Sequence, residues 1–116
     1  MLEEKLMDEK TEELSREVAV AMEEHELKVY YQPKYDALTS KLIGAEALVR
    51  WIKKDGTMVM PGSFIPQLEE GQDILALDWY MLREVCSFLK KQKEESVHSV
   101  PVAVNFSRMH VIYEKD

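Results

Sequence analysis

The 116-residue chain is 46% hydrophobic and 32% charged, and its formal net charge is −7. Such a composition is typical of a folded globular domain and excludes a disordered chain, while the length allows one domain with a modest core. Residues 1–26 carry the whole negative excess, because they hold ten acidic residues against Lys5, Lys10 and Arg16. The remainder is neutral and has no basic patch with interleaved aromatic residues, which argues against a polymeric nucleic acid as partner.

The sequence offers no candidate for a membrane span or a secretory signal. Its start lacks a cationic region followed by an apolar one, and no stretch reaches the roughly 18 apolar residues of a span. Cys86 is the only cysteine, so a disulfide within the chain is impossible, and its place on a predicted apolar helix stripe favours a packing role. We expect a cytoplasmic segment without membrane contact, whose parent protein could still be membrane-tethered.

Residues 2–26 are predicted to form an acidic amphipathic helix. Leu14, Val18, Ala21 and Met22 recur at the spacing of one helical face, and charged residues fill most other positions. Upstream the apolar stripe is thin, so we expect the first turns to be exposed. Two interpretations stay open: a signalling helix that leads in from a preceding module, or a helix that packs on the domain after it.

Two strands joined by a turn are predicted after the helix. Residues 27–35 alternate as a strand, residues 36–40 have turn composition, and residues 42–52 alternate again, which predicts a hairpin. One face of the second strand is wholly apolar, and the other is apolar except for Glu46 and Arg50. This is typical of a parallel-type strand covered on both faces, where a charge must meet a metal, a ligand or a counter-charge. Glu46 and Arg50 are therefore candidates for chemistry, with a structural ion pair as the alternative.

Two further helices are predicted between residues 63 and 91. Ser63 is a candidate N-cap for a short helix that ends near Gly71, and Asp73 is one for a long helix that runs to about Lys91. Asp78 falls on the buried stripe of the long helix, where a carboxylate is costly unless it is paired or liganded. Either a structural hydrogen bond or a role beside a ligand would satisfy it.

A last strand is predicted over residues 99–107, with Asn105 at its C-terminal end. Polar side chains at this end of a strand often belong to active sites in α/β folds, and an Asn that caps the next turn is the alternative. Residues 108–116 show no pattern that predicts an element. The three histidines are not spaced like zinc ligands.

Five short motifs follow one another along the chain. They are Tyr31-Gln32-Pro33, Glu46-Ala47-Leu48-Val49-Arg50-Trp51, Pro61 with Phe64-Ile65-Pro66, Leu77-Asp78, and Val104-Asn105-Phe106-Ser107-Arg108. In type and order they resemble the EAL-domain family of cyclic di-GMP phosphodiesterases. The resemblance implies an α/β fold, a partial (β/α)8 TIM-type barrel of the EAL type with an antiparallel first strand and a leading helix. Because such a barrel needs roughly 250 residues, we expect residues 1–26 to be a lead-in helix and residues 27–116 to be the N-terminal part of an EAL domain.

The resemblance also implies a set of site residues for the hydrolysis of cyclic di-GMP to linear pGpG. The expected ligands of Mg²⁺ or Mn²⁺ are Glu46, which would be the catalytic residue, and Asn105. The expected substrate-binding residues are Gln32, Leu48, Arg50 and Asp78. The family's further ligands would lie beyond Asp116, so we expect this chain alone to be inactive.

Two other functions stay open. The first is a degenerate receptor domain that binds cyclic di-GMP without hydrolysing it, which lost ligands in the rest of the domain would indicate. The second is a fragment that binds no ligand and self-associates as a homodimer or a strand-exchanged assembly, because an open sheet edge invites pairing with another chain.

Overall fold

The computed structural model describes residues 2–70 and 72–113. A long helix comes first, a hairpin follows, and short elements then alternate with a second long helix. The helices are α1 (Leu2–Glu23), α2 (Ile65–Glu69), α3 (Asp73–Glu94) and α4 (Met109–Tyr113), and a 3₁₀ turn spans Pro61–Ser63. The strands are β1 (Leu27–Tyr35), β2 (Leu42–Ile52), β3 (Met58–Val59) and β4 (Val102–Ala103). Gly71, near which the short helix was predicted to end, lies outside the described residues, as do residues 114–116.

The β1–β2 hairpin has the bounds that alternation predicts. The two strands pair antiparallel from Leu27 opposite Trp51 to Lys34 opposite Gly44, with an irregularity before Tyr35. The turn forms because Asp36 Oδ1 accepts the N–H groups of Leu38 at 2.8 Å and Thr39 at 2.9 Å. These N–H groups stabilise the ionised form, so they lower the pKa of Asp36.

Strand β2 is the centre of a four-stranded sheet. One of its edges pairs with β1, and the other pairs antiparallel with β3 near Trp51 and parallel with β4, where Ala45 and Glu46 face Val102 and Ala103. The predicted strand over residues 99–107 is therefore too long, since β4 holds only two residues. The ladder with β2 ends at Ala103, and four residues later the N–H of Ser107 donates to the side chain of Asp78 on α3.

Among the described residues helices cover one face of β2 and the other face is half-buried, so the predicted cover on both faces is confirmed for one face only. Helices α1 and α3 pack on the face that carries Ala47 and Trp51, which are buried. On the opposite face Glu46, Leu48 and Arg50 are half-buried. The core lies between the helices and the covered face, and its most enclosed side chains are Phe64, Leu27, Leu68, Leu77 and Val18.

Helix α1 joins this core through its second half. Val18 and Ala21 are buried while Leu2 and Leu6 are exposed, which confirms the predicted stripe and the exposed first turns. None of the described helices is both long enough and apolar enough to cross a membrane.

The predicted caps and the place of Cys86 differ from the structure. Ser63 ends the 3₁₀ turn, and α2 begins after Phe64 with a proline in its first turn and no side-chain cap. Asp73 is the first residue of α3, and it accepts the hydroxyl of Ser15 at 2.8 Å, so it ties α3 to α1. Cys86 is exposed, because the residue after Val85 points about 100° away from the buried stripe.

Candidate functional site

The half-buried face of β2 carries three of the predicted site residues, and β1 adds a fourth. Gln32 is the direct partner of Glu46 across the two strands, and Tyr30 is the partner of Leu48. Directly opposed residues on a sheet have Cβ atoms about 4.5–5.5 Å apart and point to the same side. The amide of Gln32 and the carboxylate of Glu46 are therefore neighbours on one face.

Strand β4 brings Asn105 to the same face. Ala103 is the partner of Glu46 in the parallel pair, and beyond it the alternation continues, since Val102 and Val104 pack against the core while Ala103 and Asn105 are exposed. Two residues along a strand return to the same side, so Asn105 shares the face of Glu46. Asn105 is exposed, one residue beyond Val104 and clear of the ladder. We call Gln32, Glu46, Leu48, Arg50 and Asn105 the site face.

Two cationic residues lie opposite each other at one end of the site face. Arg50 and Lys28 are direct partners across β1 and β2, so two cations lie side by side. Arg50 donates from Nη1 to the carbonyl oxygen of Val49 at 2.8 Å, and its guanidinium carbon lies 6.0 Å from the centre of the Tyr30 ring. Within the described part of the chain neither Glu46 nor Arg50 forms an ion pair, so the structural ion pair finds no partner there.

A cavity of about 200 Å³ opens beside β2, between the end of β4 and the Pro61 turn. Its wall is mainly apolar, and its polar lining includes Arg50, Asp78, Asn105 and Ser107. Leu48 also lines it, whereas Glu46 and Gln32 do not. Four of the six predicted site residues thus line one cavity, and the other two, Gln32 and Glu46, are partners of each other across the hairpin.

Asp78 reaches this cavity from α3. Its Oδ2 accepts the N–H of Ser107 at 2.8 Å and lies 2.9 Å from Nε2 of His110. Sequence reasoning missed both partners, because residues 108–116 show no pattern and α4 was not predicted. The available signal was the carboxylate on a buried stripe, which required a partner of unknown position. The predicted contact of Asp78 with a nucleotide stays a prediction.

The donor atoms on the site face suit a hard cation. A carboxylate from Glu46 and an amide oxygen from Asn105 are ligands that Mg²⁺ and Mn²⁺ prefer over nitrogen or sulfur. In the described residues no group of three or more His, Cys, Asp or Glu side chains is placed to hold a metal ion. The face therefore fits part of a coordination sphere of about six ligands.

Comparison with known proteins finds relatives over most of the chain. The chain is 34% identical over 90 residues to the oxygen sensor protein DosP of Escherichia coli, covering 78% of this chain and 11% of DosP. It is 30% identical over 97 residues to the bifunctional diguanylate cyclase/cyclic di-GMP phosphodiesterase MucR of Pseudomonas aeruginosa, covering 84% of this chain and 14% of MucR.

A solved structure shows the same arrangement of elements. The PaMucR phosphodiesterase in complex with c-di-GMP matches 87% of this chain with a TM-score of 0.75 at 29% identity, and the match covers 41% of that protein. The predicted fold class, part of an EAL-type barrel, is confirmed. The model of the EAL domain matches residues 15–114, which include every residue of the site face. The chain spans less than a fifth of the length of DosP or of MucR. Since the family model matches most of the chain, the chain belongs to the EAL domain family.

Proposed function

We propose that this chain is the N-terminal part of a cyclic di-GMP phosphodiesterase domain, which in complete form opens one phosphodiester of cyclic di-GMP to give linear pGpG. The observation that carries the proposal is the site face, where a carboxylate, an amide and a guanidinium from two strands and the end of a third share one side of the sheet. MucR, a relative named as a phosphodiesterase, supports the same assignment.

Each residue of the site face has a role in this proposal. Glu46 and Asn105 offer oxygen ligands to Mg²⁺ or Mn²⁺, and Glu46 is the catalytic one. When bound, such a cation lowers the pKa of water and offsets charge on a phosphate. Arg50 binds a phosphate oxygen, and the half-buried position of its guanidinium strengthens that contact relative to open water.

The rest of the face shapes the nucleotide pocket. Leu48 lies between Glu46 and Arg50 on β2 and presents an apolar side chain to the nucleotide, while Gln32 has an amide that can donate and accept. The domain is proposed to act in the cytoplasm, as expected from the sequence.

This chain alone is proposed to be inactive. Two oxygen ligands leave most of a cation's coordination sphere to water or to other segments. Incubation of the purified chain with cyclic di-GMP and Mn²⁺ should therefore give no linear product. Metal-dependent turnover that persists after repurification would contradict the proposal of inactivity.

Nucleotide binding is tested separately by titrating the isotope-labelled chain with cyclic di-GMP in Mg²⁺ and following amide chemical shifts. We expect shifts at residues 46–50 and at Gln32. The groove between Tyr31 and Phe88, whose rings stack at 4.4 Å on the opposite side of the sheet, serves as the internal control. Shifts confined to that groove, or none on the site face, would argue against the proposed substrate.

Self-association is a second candidate that one observation favours. In the described residues β1 pairs only with β2, so its outer edge presents unpaired backbone groups. Pro33 blunts part of this edge, because proline has no N–H to donate. Light scattering over a concentration series distinguishes the cases: a growing mass supports a homodimer or a strand-exchanged assembly, and a constant monomer mass excludes both.

A further inference from the structure

Asp78 is the one charged residue that is buried in the part of the chain that the structure describes, with 7% of its surface exposed. It lies on α3 directly after Leu77 and about one turn before Met81. Both of these neighbours belong to the core. An ionised carboxylate in such a place is costly unless hydrogen bonds compensate for the lost water. The groups that form hydrogen bonds with Asp78 are therefore held in place.

Those contacts lie in the segment that follows β4. One oxygen, Oδ2, accepts the N–H of Ser107 and lies within hydrogen-bond distance of His110 Nε2. The side chains of His110 and Asp78 are only 13% and 10% exposed, so water competes weakly. Ser107 Oγ accepts the N–H of Met109 at 3.1 Å. Ser107, which Asp78 holds, therefore also caps the start of α4.

An aromatic cluster packs around the same link. The His110 ring stacks on Phe106 with ring centres 4.9 Å apart, and Trp79 meets both rings edge-on at 5.3 and 5.7 Å. Trp79 follows Asp78 in α3, and Phe106 follows Asn105 in the chain. Helix α3 thus holds the residues that come directly after Asn105.

Asn105 lies between two anchored points. The pairing of Ala103 with Glu46 holds the chain on one side, and the bond from Ser107 to Asp78 holds it two residues later on the other. We propose that Asp78 is a positioning residue that fixes the backbone at Ser107 and thereby keeps Asn105 on the face of Glu46. The role of Asn105 as a cation ligand rests on the proposed function. The hydrogen bond that ties Ser107 to Asp78, called the tether below, does not rest on it.

The test uses amide hydrogen exchange and Mn²⁺-induced line broadening on the 116-residue chain. Asp78→Ala removes the acceptor, and Asp78→Asn keeps an acceptor oxygen without the charge. Val85→Ala is the matched control, because Val85 is a buried residue of α3 two turns away. We expect Ser107 N–H to exchange roughly ten- to a hundredfold faster in Asp78→Ala, as for the loss of a hydrogen bond to a charged acceptor. The α3 amides should change no more than in Val85→Ala.

Paramagnetic broadening by Mn²⁺ then distinguishes a change in the position of Asn105 from a general loss of stability. In Asp78→Ala the broadening should persist at Glu46 and weaken at Asn105, while Asp78→Asn should give an intermediate result in both measurements. Unchanged Ser107 exchange, or equal broadening of Asn105 in wild type and Asp78→Ala, would overturn the proposal. Should Asp78→Ala not fold, Asp78→Asn decides, since no change in Ser107 exchange there also overturns it. Absence of broadening at both residues in the wild type counts against the proposed function. The exchange rate of Ser107 N–H in Asp78→Ala then shows by itself whether the tether exists.

Discussion

Gln32 and Glu46 lie directly opposite each other across the antiparallel pair of β1 and β2. The neighbour of this carboxylate on the adjoining strand is thus a neutral amide. A cation that approaches Glu46 meets no positive charge on its direct partner, whereas four residues further along β2 Arg50 lies opposite Lys28. Glu46 and the Lys28–Arg50 pair thus lie four residues apart on one face, and Lys34, the partner of Gly44, adds a third cation toward the other end.

The first prediction concerns Glu46. Glu46→Gln keeps the size of the side chain and removes its charge, so Mn²⁺ affinity should fall at least about tenfold, since hard divalent cations depend on carboxylate ligands. The measurement is a Mn²⁺ titration followed by electron paramagnetic resonance. Glu84→Gln is the matched control, because Glu84 lines the groove of Tyr31 and Phe88 away from the site face. Equal losses in the two variants would contradict a specific role for Glu46.

The second prediction concerns Arg50 and the charge beside it. Like charges that face each other across a ladder are destabilising, and Arg50→Ala relieves this repulsion while it removes the hydrogen bond to Val49 and the contact with the Tyr30 ring. The two effects oppose each other, so the free energy of unfolding should change by less than about 1 kcal/mol. Binding of cyclic di-GMP should nevertheless weaken roughly tenfold or more, because a charged hydrogen bond to phosphate is lost. Lys28→Ala, which relieves the same repulsion, is the control. Urea denaturation measures stability, and nucleotide titration measures binding. If Arg50→Ala lost stability and binding together, the loss of binding could not be assigned to the phosphate contact.

Much of the fold follows from local patterns. The bounds of β1 and β2 match the alternation of residues 27–35 and 42–52, because Asp36 provides a turn that needs nothing from elsewhere in the chain. The long helix was also predicted, although it continues to Glu94 rather than Lys91. Local propensity and one apolar stripe decide these elements, so the sequence is sufficient for them.

The remaining features depend on contacts between distant residues. One partner of Asp78 is the N–H of Ser107, which lies 29 residues further along the chain. Alternation over residues 99–107 could indicate a strand, but it could not indicate where the backbone leaves the sheet. Similarly, the place of Asn105 on the Glu46 face depends on the register between β4 and β2, which side-chain pattern alone does not fix.

The third prediction concerns Tyr80, whose hydroxyl donates to the carbonyl oxygen of Leu27 at 2.7 Å and joins α3 to β1. Tyr80→Phe should lower the free energy of unfolding by about 1–2 kcal/mol, because the buried carbonyl loses its donor. Burial, and after it the charge of Glu84, raises the pKa of Tyr80 above its ordinary value of 10.0. The stabilisation is therefore complete below about pH 10 and is lost as the pH rises through the higher pKa of the folded state.

The comparison of wild type with Tyr80→Phe over pH tests this reasoning. The difference in unfolding free energy should be constant near neutrality and should shrink in strongly alkaline solution, as denaturant titrations at several pH values would show. Tyr35→Phe is the control, since Tyr35 is an exposed tyrosine at the end of β1. A difference that grows with pH would be contrary to the sign derived for Tyr80.

The last prediction concerns the approach of β4 to β2 at Gly44. A Cβ atom there would lie 3.3 Å from the carbonyl oxygen of Pro101, the same oxygen that accepts the N–H of Ala45 at 3.0 Å. In Gly44→Ala the backbone before β4 must move by a few tenths of an ångström, so the Ala45 amide should exchange faster. Stability should change by less than about 1 kcal/mol, because alanine also reduces the entropy of the unfolded chain. Gly62→Ala, whose Cβ would meet nothing within 4 Å, should leave that exchange unchanged; equal exchange rates in both variants would mean that Gly44 does not control the approach of β4.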